Sequence, residues 1–584
     1  MIRLSEIRLP LSALPSDPDT HPEAALRAQA AQLLGLADTD IATLQVFKRS
    51  FDARKAALLA VYIVDIALAD TAQEAALLSR HSVNPHIQPT PDMAWRPVGQ
   101  APADLRERPV VVGFGPCGIF AALVLAQMGL RPIVLERGKT VRERTKDTWG
   151  LWRQRALNPE SNVQFGEGGA GTFSDGKLYS QIKDPRHLGR KVMEEFVQAG
   201  APPEILYVAH PHIGTFKLVK VVETLREQII ALGGEVRFQQ RVTDVLVEED
   251  TAGQRQLRGL RVLDQSTGQT HELQATHVVM ALGHSARDTF AMLHDRGVHM
   301  QAKPFSIGFR IEHPQGVIDR ARWGRHVGHP LLGAADYKLV HHASNGRTAY
   351  SFCMCPGGTV VAATSEPGRV VTNGMSQYSR NERNANAGMV VGIDPPDYPT
   401  DPAAFEAQLG ATHGVEALKA GQHHPLAGIV LQRQLESNAY VLGGSDYSAP
   451  GQLVGDFIAG KSSRQLGGVE PSYKPGVLLT DLHAALPGYA IEALREALPA
   501  FGRKIKGFDM HDAVLTGVET RTSSPLKIGR GENYQSLNTP GLYPAGEGAS
   551  YAGGILSAGV DGIKVGEAVA RSLLNTAARS HSTP

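Results

Sequence analysis

Three glycines near residue 115 are spaced so that they could hold a negatively charged phosphate group. Gly113, Gly115 and Gly118 form a G-x-G-x-x-G pattern between a short apolar run at 108–112 and an Ala-rich segment of helical spacing. In such a strand-turn-helix unit the first glycine permits a tight turn, the second lets backbone amides approach a pyrophosphate, and the third lets the helix pack closely on the strand. The helix N terminus adds partial positive charge. The pattern therefore predicts a dinucleotide site.

Two charged residues at the end of the next apolar run bear on which dinucleotide is bound. Glu136 lies where an acid accepts hydrogen bonds from ribose hydroxyls. Arg137 follows it, and an arginine at this place could bind the extra phosphate of NADP, although Glu136 argues against NADP. These residues suit both NAD and FAD.

A second glycine-rich segment, at 539–570, favours FAD over NAD. It is typical of a strand, the glycine pair Gly553 and Gly554, and a helix that begins near Ile555. Such a helix would direct its positive end at the pyrimidine edge of an isoalloxazine ring, where reduced flavin concentrates negative charge. The segment resembles that of flavoproteins of the glutathione-reductase type, and this resemblance implies that Glu547 binds the ribityl or pyrophosphate part of FAD.

A separate pyridine-nucleotide domain is not predicted. No second G-x-G-x-x-G pattern with a downstream acid occurs between residues 140 and 530. NAD(P)H could still bind transiently in a cleft as an electron donor. The identity of the donor therefore stays open.

A further Gly-rich loop, at 166–176, is expected to cover the cofactor with backbone donors. The edge of the isoalloxazine ring is expected to lie near Ser174, Asp175 and Lys177. Lys177 is a candidate catalytic residue because a lysine near flavin stabilises the anionic reduced form. The predicted cofactor-binding residues are Gly113, Gly115, Pro116, Cys117, Gly118, Glu136, Arg137, Gly168, Gly169, Thr172, Val242, Gly283, Gly546, Glu547, Gly554 and Ile555.

The three cysteines invite a redox or metal hypothesis. Cys353 and Cys355 in a strand would lie about 7 Å apart between Cα atoms, which is too far for an unstrained disulfide. A zinc site needs four ligands and no other Cys or His lies near them in sequence, so no metal is predicted. Both are expected to be small buried residues, with Cys353 also a catalytic candidate. Cys117, at a helix start, is expected to have a lowered pKa and to serve mainly in packing.

Charged residues shortly before the second glycine-rich segment are candidates for substrate binding. Arg521 could bind an acidic group of the substrate, and Glu519 and Lys527 are expected to border the substrate side of the ring. The alternative is that these side chains are solvated or salt-bridged. For His210 and His212, hydrogen bonding within a loop is favoured over metal binding or acid-base chemistry.

Composition limits the class of partner. The chain of 584 residues is long enough for about three domains. Its 59 Lys and Arg against 58 Asp and Glu argue against nucleic acid or an anionic membrane as the main partner. Only 3 cysteines are present, which excludes a disulfide framework and indicates a reducing cytoplasm. Without a signal-peptide pattern or a long apolar run, a cytoplasmic protein with a small-molecule substrate is expected, its oligomeric state unspecified.

The predicted secondary structure divides the chain into three domains. Residues 1–95 show strand, helix and two strand patterns, which predict a small βαββ domain. Residues 96–300 and 531–576 predict the two parts of a doubly wound α/β domain of the Rossmann type that binds FAD as in glutathione reductase. Residues 301–530, rich in short β-like runs, predict an inserted α+β domain on the substrate side.

A small basic cluster in the N-terminal domain could dock a structured RNA. It consists of Lys48, Arg49, Arg54 and Lys55. A solvated face is the favoured interpretation, because the chain carries almost no net charge.

Several longer motifs carry a resemblance to a known family. They lie at 162–178, 211–218, 351–361, 372–388 and 516–530. Read in order, together with the N-terminal unit, they resemble the bacterial family of uncharacterised FAD-dependent dehydrogenases over nearly the whole chain. The resemblance implies an FAD-binding fold, a family-specific C-terminal substrate domain and an oxidoreductase activity, and it supplies no substrate.

The favoured hypothesis is an FAD-dependent oxidoreductase that exchanges a hydride between flavin N5 and a small organic substrate. The substrate would bind at the interface with the inserted domain. Two alternatives stay open: an RNA-associated flavoprotein, and a flavin-bound sensor without turnover.

Overall fold

The structure is a computed structural model that describes residues 1–53 and 58–581, with residues 577–581 as backbone only. The helices and strands of residues 1–95 are β1 (Ile2–Pro10), α1 (Glu23–Leu34), β2 (Ile41–Asp52), β3 (Leu59–Leu68), α2 (Thr71–Arg80) and β4 (Ile87–Pro89). Those of residues 96–300 are β5 (Val110–Val112), α3 (Pro116–Gln127), β6 (Ile133–Leu135), α4 (Val141–Gln154), α5 (Leu188–Gln198), α6 (Thr215–Ala231), β7 (Glu235–Arg237), β8 (Gln240–Glu249), β9 (Arg255–Asp264), β10 (Gln269–Gln274), β11 (Val278–Met280) and α7 (Arg287–Asp295). The remainder has β12 (Met300–Ala302), β13 (Phe305–Pro314), α8 (Gln315–Trp323), β14 (Val340–His342), β15 (Thr348–Ala362), β16 (Thr372–Ser376), β17 (Asn384–Ile393), α9 (Pro402–Leu409), α10 (Ala427–Leu442), β18 (Ala449–Leu453), α11 (Val454–Ala459), β19 (Val477–Leu479), α12 (Gly488–Lys504), β20 (Val514–Glu519), β21 (Leu526–Ile528), β22 (Leu542–Pro544) and α13 (Ile555–His581).

The N-terminal domain is an antiparallel sheet of order β2-β3-β1-β4. Alternate residues of β1 and β3, such as Ile2, Leu4 and Val64, are buried and form a core with Leu26 of α1. This alternation places one face of the sheet against the helices. The structure continues beyond the βαββ order with α2 and with β4, which pairs along β1.

Strand β2 joins this domain to the next region. The amide of Arg49 donates to the carbonyl of Tyr207 at 2.6 Å, and the amide of Ala209 donates to the carbonyl of Arg49 at 2.9 Å. The backbone of β2 is thereby held against the loop that follows α5.

This contact changes the interpretation of the basic cluster. The Arg49 side chain is buried and its Nη1 donates to the carbonyl of Pro18. The expected solvated face is therefore wrong for Arg49, because the residue serves in domain docking. Lys48 is exposed, and Arg54 and Lys55 lie outside the described residues.

A five-stranded parallel sheet of order β22-β11-β5-β6-β7 forms the core of the second region. Strands β5, β6, β11 and β22 are buried at all three of their residues. Such uniformly apolar strands are expected when helices cover both faces of a parallel sheet. Because β11 pairs with both β5 and β22, the C-terminal strand returns to the sheet that begins near residue 110. The chain thus has the α/β fold class that the sequence predicts.

Helix α3 is buried because α13 packs against it. A Cβ atom at Gly562 would lie 2.2 Å from the carbonyl oxygen of Cys117, and one at Gly566 would lie 2.6 Å from Cγ2 of Val124. The missing side chains at these two positions let the helices approach closely. The two glycine-rich segments, far apart in sequence, become neighbours through this packing.

Segment 235–249 forms two strands that belong to different sheets. It splits into β7, the edge of the parallel sheet, and β8, part of an antiparallel sheet of order β10-β9-β8. Gln239, between the two strands, has φ +57°. This left-handed conformation turns the chain out of the first sheet.

The third region is built on an eight-stranded sheet of order β14-β15-β17-β13-β20-β18-β19, with β16 paired to β15. Central strands β13 and β17 run antiparallel, with Phe309 opposite Met389. Helices α10 and α12 contribute residues such as Ile429 and Leu494 to the same core. The sheet brings β15 and β16 close to β20, which is distant from them in sequence.

Within residues 1–53 and 58–581, no helix is both long and apolar enough to span a bilayer.

Candidate active site

A cavity of about 390 Å³ lies between the parallel sheet and the eight-stranded sheet. Its wall includes the carboxyl ends of β5, β6 and β11, the Gly-rich loop, parts of β15, β16 and β20, and the start of α13. Open α/β sheets bind ligands at the carboxyl ends of their strands. The cavity volume also lies in the range of small-molecule sites. This cavity is therefore the candidate active site.

The turn after β5 presents backbone to the cavity. Gly113 has φ +97°, and a Cβ atom there would lie 2.5 Å from the carbonyl oxygen of Ala281. Gly115 is the N-cap of α3, and no described side chain caps the helix there. Gly115, Pro116 and Cys117 line the wall. The N terminus of α3 is thus available to an anion.

Glu136 lines the same part of the wall and is held in place by backbone amides. Its carboxylate accepts hydrogen bonds from the amides of Phe114 at 2.8 Å, Gly138 at 2.8 Å and Gly166 at 3.0 Å. Because each carboxylate oxygen has two lone pairs, acceptor capacity remains for a ligand hydroxyl. Its predicted ribose contact stays a prediction.

Arg137 also lines the cavity, but carboxylates already bind its guanidinium. It forms ion pairs with Glu160 at 3.0 Å and Asp288 at 2.8 Å and lies over the ring of Phe165. Burial opposes its charge, yet the two carboxylates outweigh burial and raise its pKa. The residue is therefore poorly placed to neutralise the additional phosphate of NADP.

The Gly-rich loop closes over the turn. A Cβ atom at Gly169 would lie 2.9 Å from Cα of Gly115, so the two glycine backbones are in contact. Gly169, Ala170 and Gly171 line the cavity. Small residues on both sides leave a backbone cradle that a side chain would fill.

Some predicted cofactor contacts lie behind the wall rather than on it. They are Gly118, Gly168, Thr172 and Gly546. A Cβ atom at Gly118 would lie 1.9 Å from the carbonyl oxygen of Gly113, and one at Gly546 would lie 2.9 Å from Cβ of Cys117. Gly118 and Gly546 therefore serve in close packing around the start of α3.

The start of α13 faces the cavity from the opposite side. The helix begins at Ile555, and Gly553, Gly554 and Ile555 line the wall. A Cβ atom at Gly553 or Gly554 would meet no described atom within 4 Å. Two helix N termini, those of α3 and α13, therefore open onto one cavity.

Glu547, Val242 and Gly283 complete the predicted contacts on the wall. Burial raises the pKa of Glu547 to about 7, although Lys303 opposes the shift. The Glu547 side chain can therefore be neutral or charged near neutral pH.

The end of the cavity beyond these backbones is lined by ionisable side chains. They are Asp175, Lys177, Cys353, Glu519 and Arg521. Lys177 is about one-third exposed and lies 3.8 Å from Asp175. Asp175 is bound more closely by Arg380, whose Nε donates to it at 3.0 Å. Lys177 therefore keeps most of its hydrogen-bonding capacity.

Glu519, at the end of β20, is a buried acid on the wall. Burial raises its pKa to about 7, and Arg310 opposes the shift from 3.4 Å. The hydroxyl of Thr372 donates to Oε2 of the same carboxylate at 3.4 Å. A carboxyl group with a pKa near 7 can act as a general acid or base.

Arg521 is salt-bridged, as the alternative interpretation held. It pairs with Glu436 at 2.9 Å, and its Nη1 donates to the hydroxyls of Ser285 and Ser365. Glu436 also pairs with Arg287 at 2.8 Å. Arg521 therefore shapes the wall from within a buried ionic network and has little capacity left for a substrate. Lys527 is exposed and lies away from the wall.

Cys117 and Cys355 are buried as expected, whereas Cys353 is only partly buried. Cys117 is buried, and burial with the nearby Asp561 carboxylate raises its pKa. The expectation of a lowered pKa is wrong because the thiol itself is buried and lies near the Asp561 carboxylate. Cys353 lies on the cavity wall at a bulge in β15, and Cys355 is buried behind it.

His210 and His212 lie off the cavity wall. Nε2 of His212 lies 2.9 Å from the carbonyl oxygen of Tyr378, and Nδ1 of His210 lies 3.6 Å from Asp336. These contacts fit the predicted loop-positioning role.

Residues that sequence reasoning missed include His284 and Asn373. His284 directly follows the strand end at Gly283, so its position after a buried strand was the available signal. Burial, reinforced by Arg521, lowers the pKa of His284 to about 3 and keeps the ring neutral. Asn373 reaches the cavity only through the pairing of β16 with β15, for which the sequence has no local signal.

Comparison with known proteins gives family matches in two parts of the chain. Residues 304–522 match the family described as FAD-dependent protein, C-terminal domain-like. Residues 1–67 match a domain of unknown function. An uncharacterised protein of Clostridium beijerinckii is 43% identical over 569 residues, covering 97% of this chain and 98% of the relative.

Solved structures resemble the chain only distantly. A variant of quinol fumarate reductase from E. coli is 13% identical with a TM-score of 0.34, covering 82% of this chain and 71% of that one. Glycerol-3-phosphate dehydrogenase from Bacillus halodurans, complexed with FAD, is 14% identical with a TM-score of 0.26, covering 50% of this chain and 49% of that one.

Proposed function

This chain belongs to a family of uncharacterised FAD-dependent proteins, and on that premise we propose that it is an FAD-dependent oxidoreductase acting on a small organic substrate. FAD would occupy the backbone-lined end of the cavity. The substrate would bind between the flavin ring and the ionisable side chains of the other end.

The single observation that supports this proposal most strongly is that the N termini of α3 and α13 open onto the same cavity. The N terminus of α3, with Gly115 and Gly169, would hold the pyrophosphate, and Glu136 would bind the ribose. The N terminus of α13 at Gly554 and Ile555 would stabilise charge at the pyrimidine edge of the ring.

When bound, FAD supplies hydride transfer at its N5 atom. The protein groups bind and orient the substrate against that atom. Lys177 offers a positive charge and Asn373 an amide at the substrate end. Phe352 adds an apolar surface on the same wall, which helps to exclude water.

Glu519 is the proposed proton-handling residue. Its carboxylate faces the cavity and its pKa lies near 7, so Oε1 or Oε2 can take a proton from a substrate hydroxyl or amine or return one. Arg310 and Thr372 hold the carboxyl group in position.

The two alternative functions have less support. Arg49 cannot take part in the proposed RNA-docking cluster, because it is buried at a domain contact. A sensor without turnover does not account for a buried acid with a pKa near 7 on the cavity wall.

Anaerobic reduction followed by visible absorption tests the proposal. We expect purified protein to show a flavin spectrum and to bleach with a substrate, or with NADH or NADPH, and to regain its colour with an electron acceptor. Apoprotein reconstituted with FAD serves as the reference for full occupancy. A protein that carries FAD yet bleaches with none of a broad panel of alcohols, amines, acids and nicotinamides would contradict the enzyme assignment.

A further inference from the structure

We propose that Cys353 and Cys355 form a redox-active dithiol that exchanges two electrons with the flavin. This inference rests on the proposed function for its flavin, and it adds a second two-electron centre within the same cavity. It also identifies thiol and disulfide compounds as the class of redox partner that the site can handle.

A bulge in β15 lies at the two cysteines. In β15, Phe352 pairs with Gly388 and Cys355 pairs with Asn386, so one additional residue is inserted between these pairs. Cys353 has φ +43°, which is outside the extended region. A regular strand would hold the two Cα atoms about 7 Å apart. The bulge interrupts this regular geometry, and Sγ of Cys355 lies 3.4 Å from the carbonyl oxygen of Cys353.

The two sulfur atoms differ in access. Cys353 is partly exposed and lines the cavity, whereas Cys355 is buried behind it with 0% exposure. An accessible thiol next to a buried partner is the arrangement of an attacking and a resolving cysteine. The third cysteine, Cys117, is buried under α13 and is not part of this pair.

The surroundings favour a thiolate at Cys353. A hydrogen bond from the Cys355 thiol lowers the pKa of Cys353 well below its usual range, and Lys177 and Arg310 reinforce the effect against burial. Arg310 Nη2 donates to the Cys353 carbonyl at 2.5 Å and lies 3.5 Å from Sγ of Cys355. Asp175 opposes the thiolate, but Arg380 pairs with that carboxylate.

The electron balance is complete with flavin as the acceptor. Starting from the Cys353 thiolate and the Cys355 thiol, the two sulfurs form one S–S bond, and the pair loses one proton and two electrons. Bound oxidised flavin would accept the two electrons and one proton, which balances the step. In reverse, reduced flavin would return them, so that the S–S bond breaks and one thiolate and one thiol are restored.

Thiol mapping tests the pair independently of flavin chemistry. The two cysteines lie on one tryptic peptide, residues 348–369, between Arg347 and Arg369. We expect iodoacetamide to label Cys353 alone in the native, reduced protein, and diamide to remove the mass of two hydrogens from this peptide. In Cys355→Ser the label at Cys353 remains and the mass loss disappears. A peptide that stays fully reduced under diamide, with both thiols alkylated after denaturation, overturns the pair.

Anaerobic dithionite titration of diamide-oxidised holoprotein tests the exchange with flavin. The wild type should take up about four electrons per flavin and Cys355→Ser about two. Uptake of about two by both proteins overturns the exchange. The flavin content of the protein is measured first. A protein without FAD would contradict the proposed function, and thiol mapping would still test whether Cys353 and Cys355 form a disulfide.

Discussion

At one end of the cavity glycine backbones and two helix N termini face the enclosed space, whereas at the other end ionisable side chains from separate strands do so. The first end uses Gly115, Gly169 and Gly554, whose lack of side chains leaves room for a ligand. The second uses Lys177 and Glu519. The backbone and helix dipoles of the first end suit a cofactor that does not vary. The side chains of the second end can be substituted, so that this end can suit different substrates.

The two ends also differ in how they are held. The backbone end depends on close helix packing, as at Gly562 against Cys117. The side-chain end depends on buried ion pairs, among them Glu436 with Arg287 and Arg521. Substitutions should therefore separate cofactor binding from the stability and chemistry of the substrate side.

The largest effect is expected from Glu436→Ala. It leaves Arg287 and Arg521 buried with much of their charge unpaired, which should cost about 3–5 kcal/mol in the free energy of unfolding. Urea denaturation measures the change. Glu6→Ala is the control, because Glu6 pairs with Arg8 at the surface and should cost under about 1 kcal/mol. Equal costs for the two variants would contradict the structural role given to the network.

Gly115→Val probes the backbone end. The added side chain occupies the cradle against Gly169 without a positive φ at residue 115, so the fold should persist while FAD affinity falls about 100-fold. Flavin titration and circular dichroism measure the two properties. Gly150→Ala, whose Cβ would lie 3.5 Å from the carbonyl oxygen of Ala156, should leave FAD affinity unchanged. If Gly115→Val bound FAD with unaltered affinity, the pyrophosphate would not lie at Gly115.

Glu519→Gln and Glu547→Gln separate the two buried acids. Both carboxyl groups have a pKa of about 7, raised by burial. If the Glu519 carboxylate accepts the proton, substrate oxidation rises with pH through about 7, and Glu519→Gln should remove this rise and lower the rate about 100-fold. Glu547→Gln should keep the rise and weaken FAD binding. A rise that persists in Glu519→Gln and vanishes in Glu547→Gln would reverse the assignment.

The same two acids affect stability in a direction that can be calculated. Their folded pKa values exceed the unfolded value of about 4.3, so the folded state binds more protons in the interval between. Stability therefore falls as pH rises from about 4.3 to about 7 and levels off above. Unfolding of apoprotein at several pH values should show a shallower fall in either variant. An equal slope in wild type and Glu519→Gln would contradict the burial of this acid.

Lys177→Met should have the smallest effect. Removal of a positive charge near the ring should lower the flavin midpoint potential by about 30 mV, because reduced flavin loses a stabilising charge. Its weak contact with Asp175 predicts a stability change under about 1 kcal/mol. Equilibration with a reference dye measures the potential. A potential that does not fall would remove Lys177 from the cofactor environment.

Local patterns were sufficient for the backbone end. Gly113, Gly115 and Glu136 come from one strand-turn-helix unit, and Ile555 follows a glycine pair, so spacing alone indicates where they lie. Gly118 was also recognisable, although its place is behind the wall. Contacts between residues that are close in sequence can be predicted from local motifs.

The side-chain end was less predictable because it depends on long-range pairing. Asn373 and Glu519 meet through the order of strands in the eight-stranded sheet, which single-strand periodicity does not reveal. The position of Cys117 at a helix start predicts a lowered pKa, but burial and the Asp561 carboxylate, which is distant in sequence, raise it. The bulge at Cys353 likewise has no signal in the motif that contains it.

A crystal structure of the protein with bound FAD would show whether the N termini of α3 and α13 contact one cofactor. We predict the pyrophosphate at Gly115 and the N terminus of α3, and the pyrimidine edge of the ring at Gly554 and Ile555, with Glu519 on the substrate side. An FAD molecule that leaves the N terminus of α13 facing solvent, or that lies outside this cavity, would contradict this prediction.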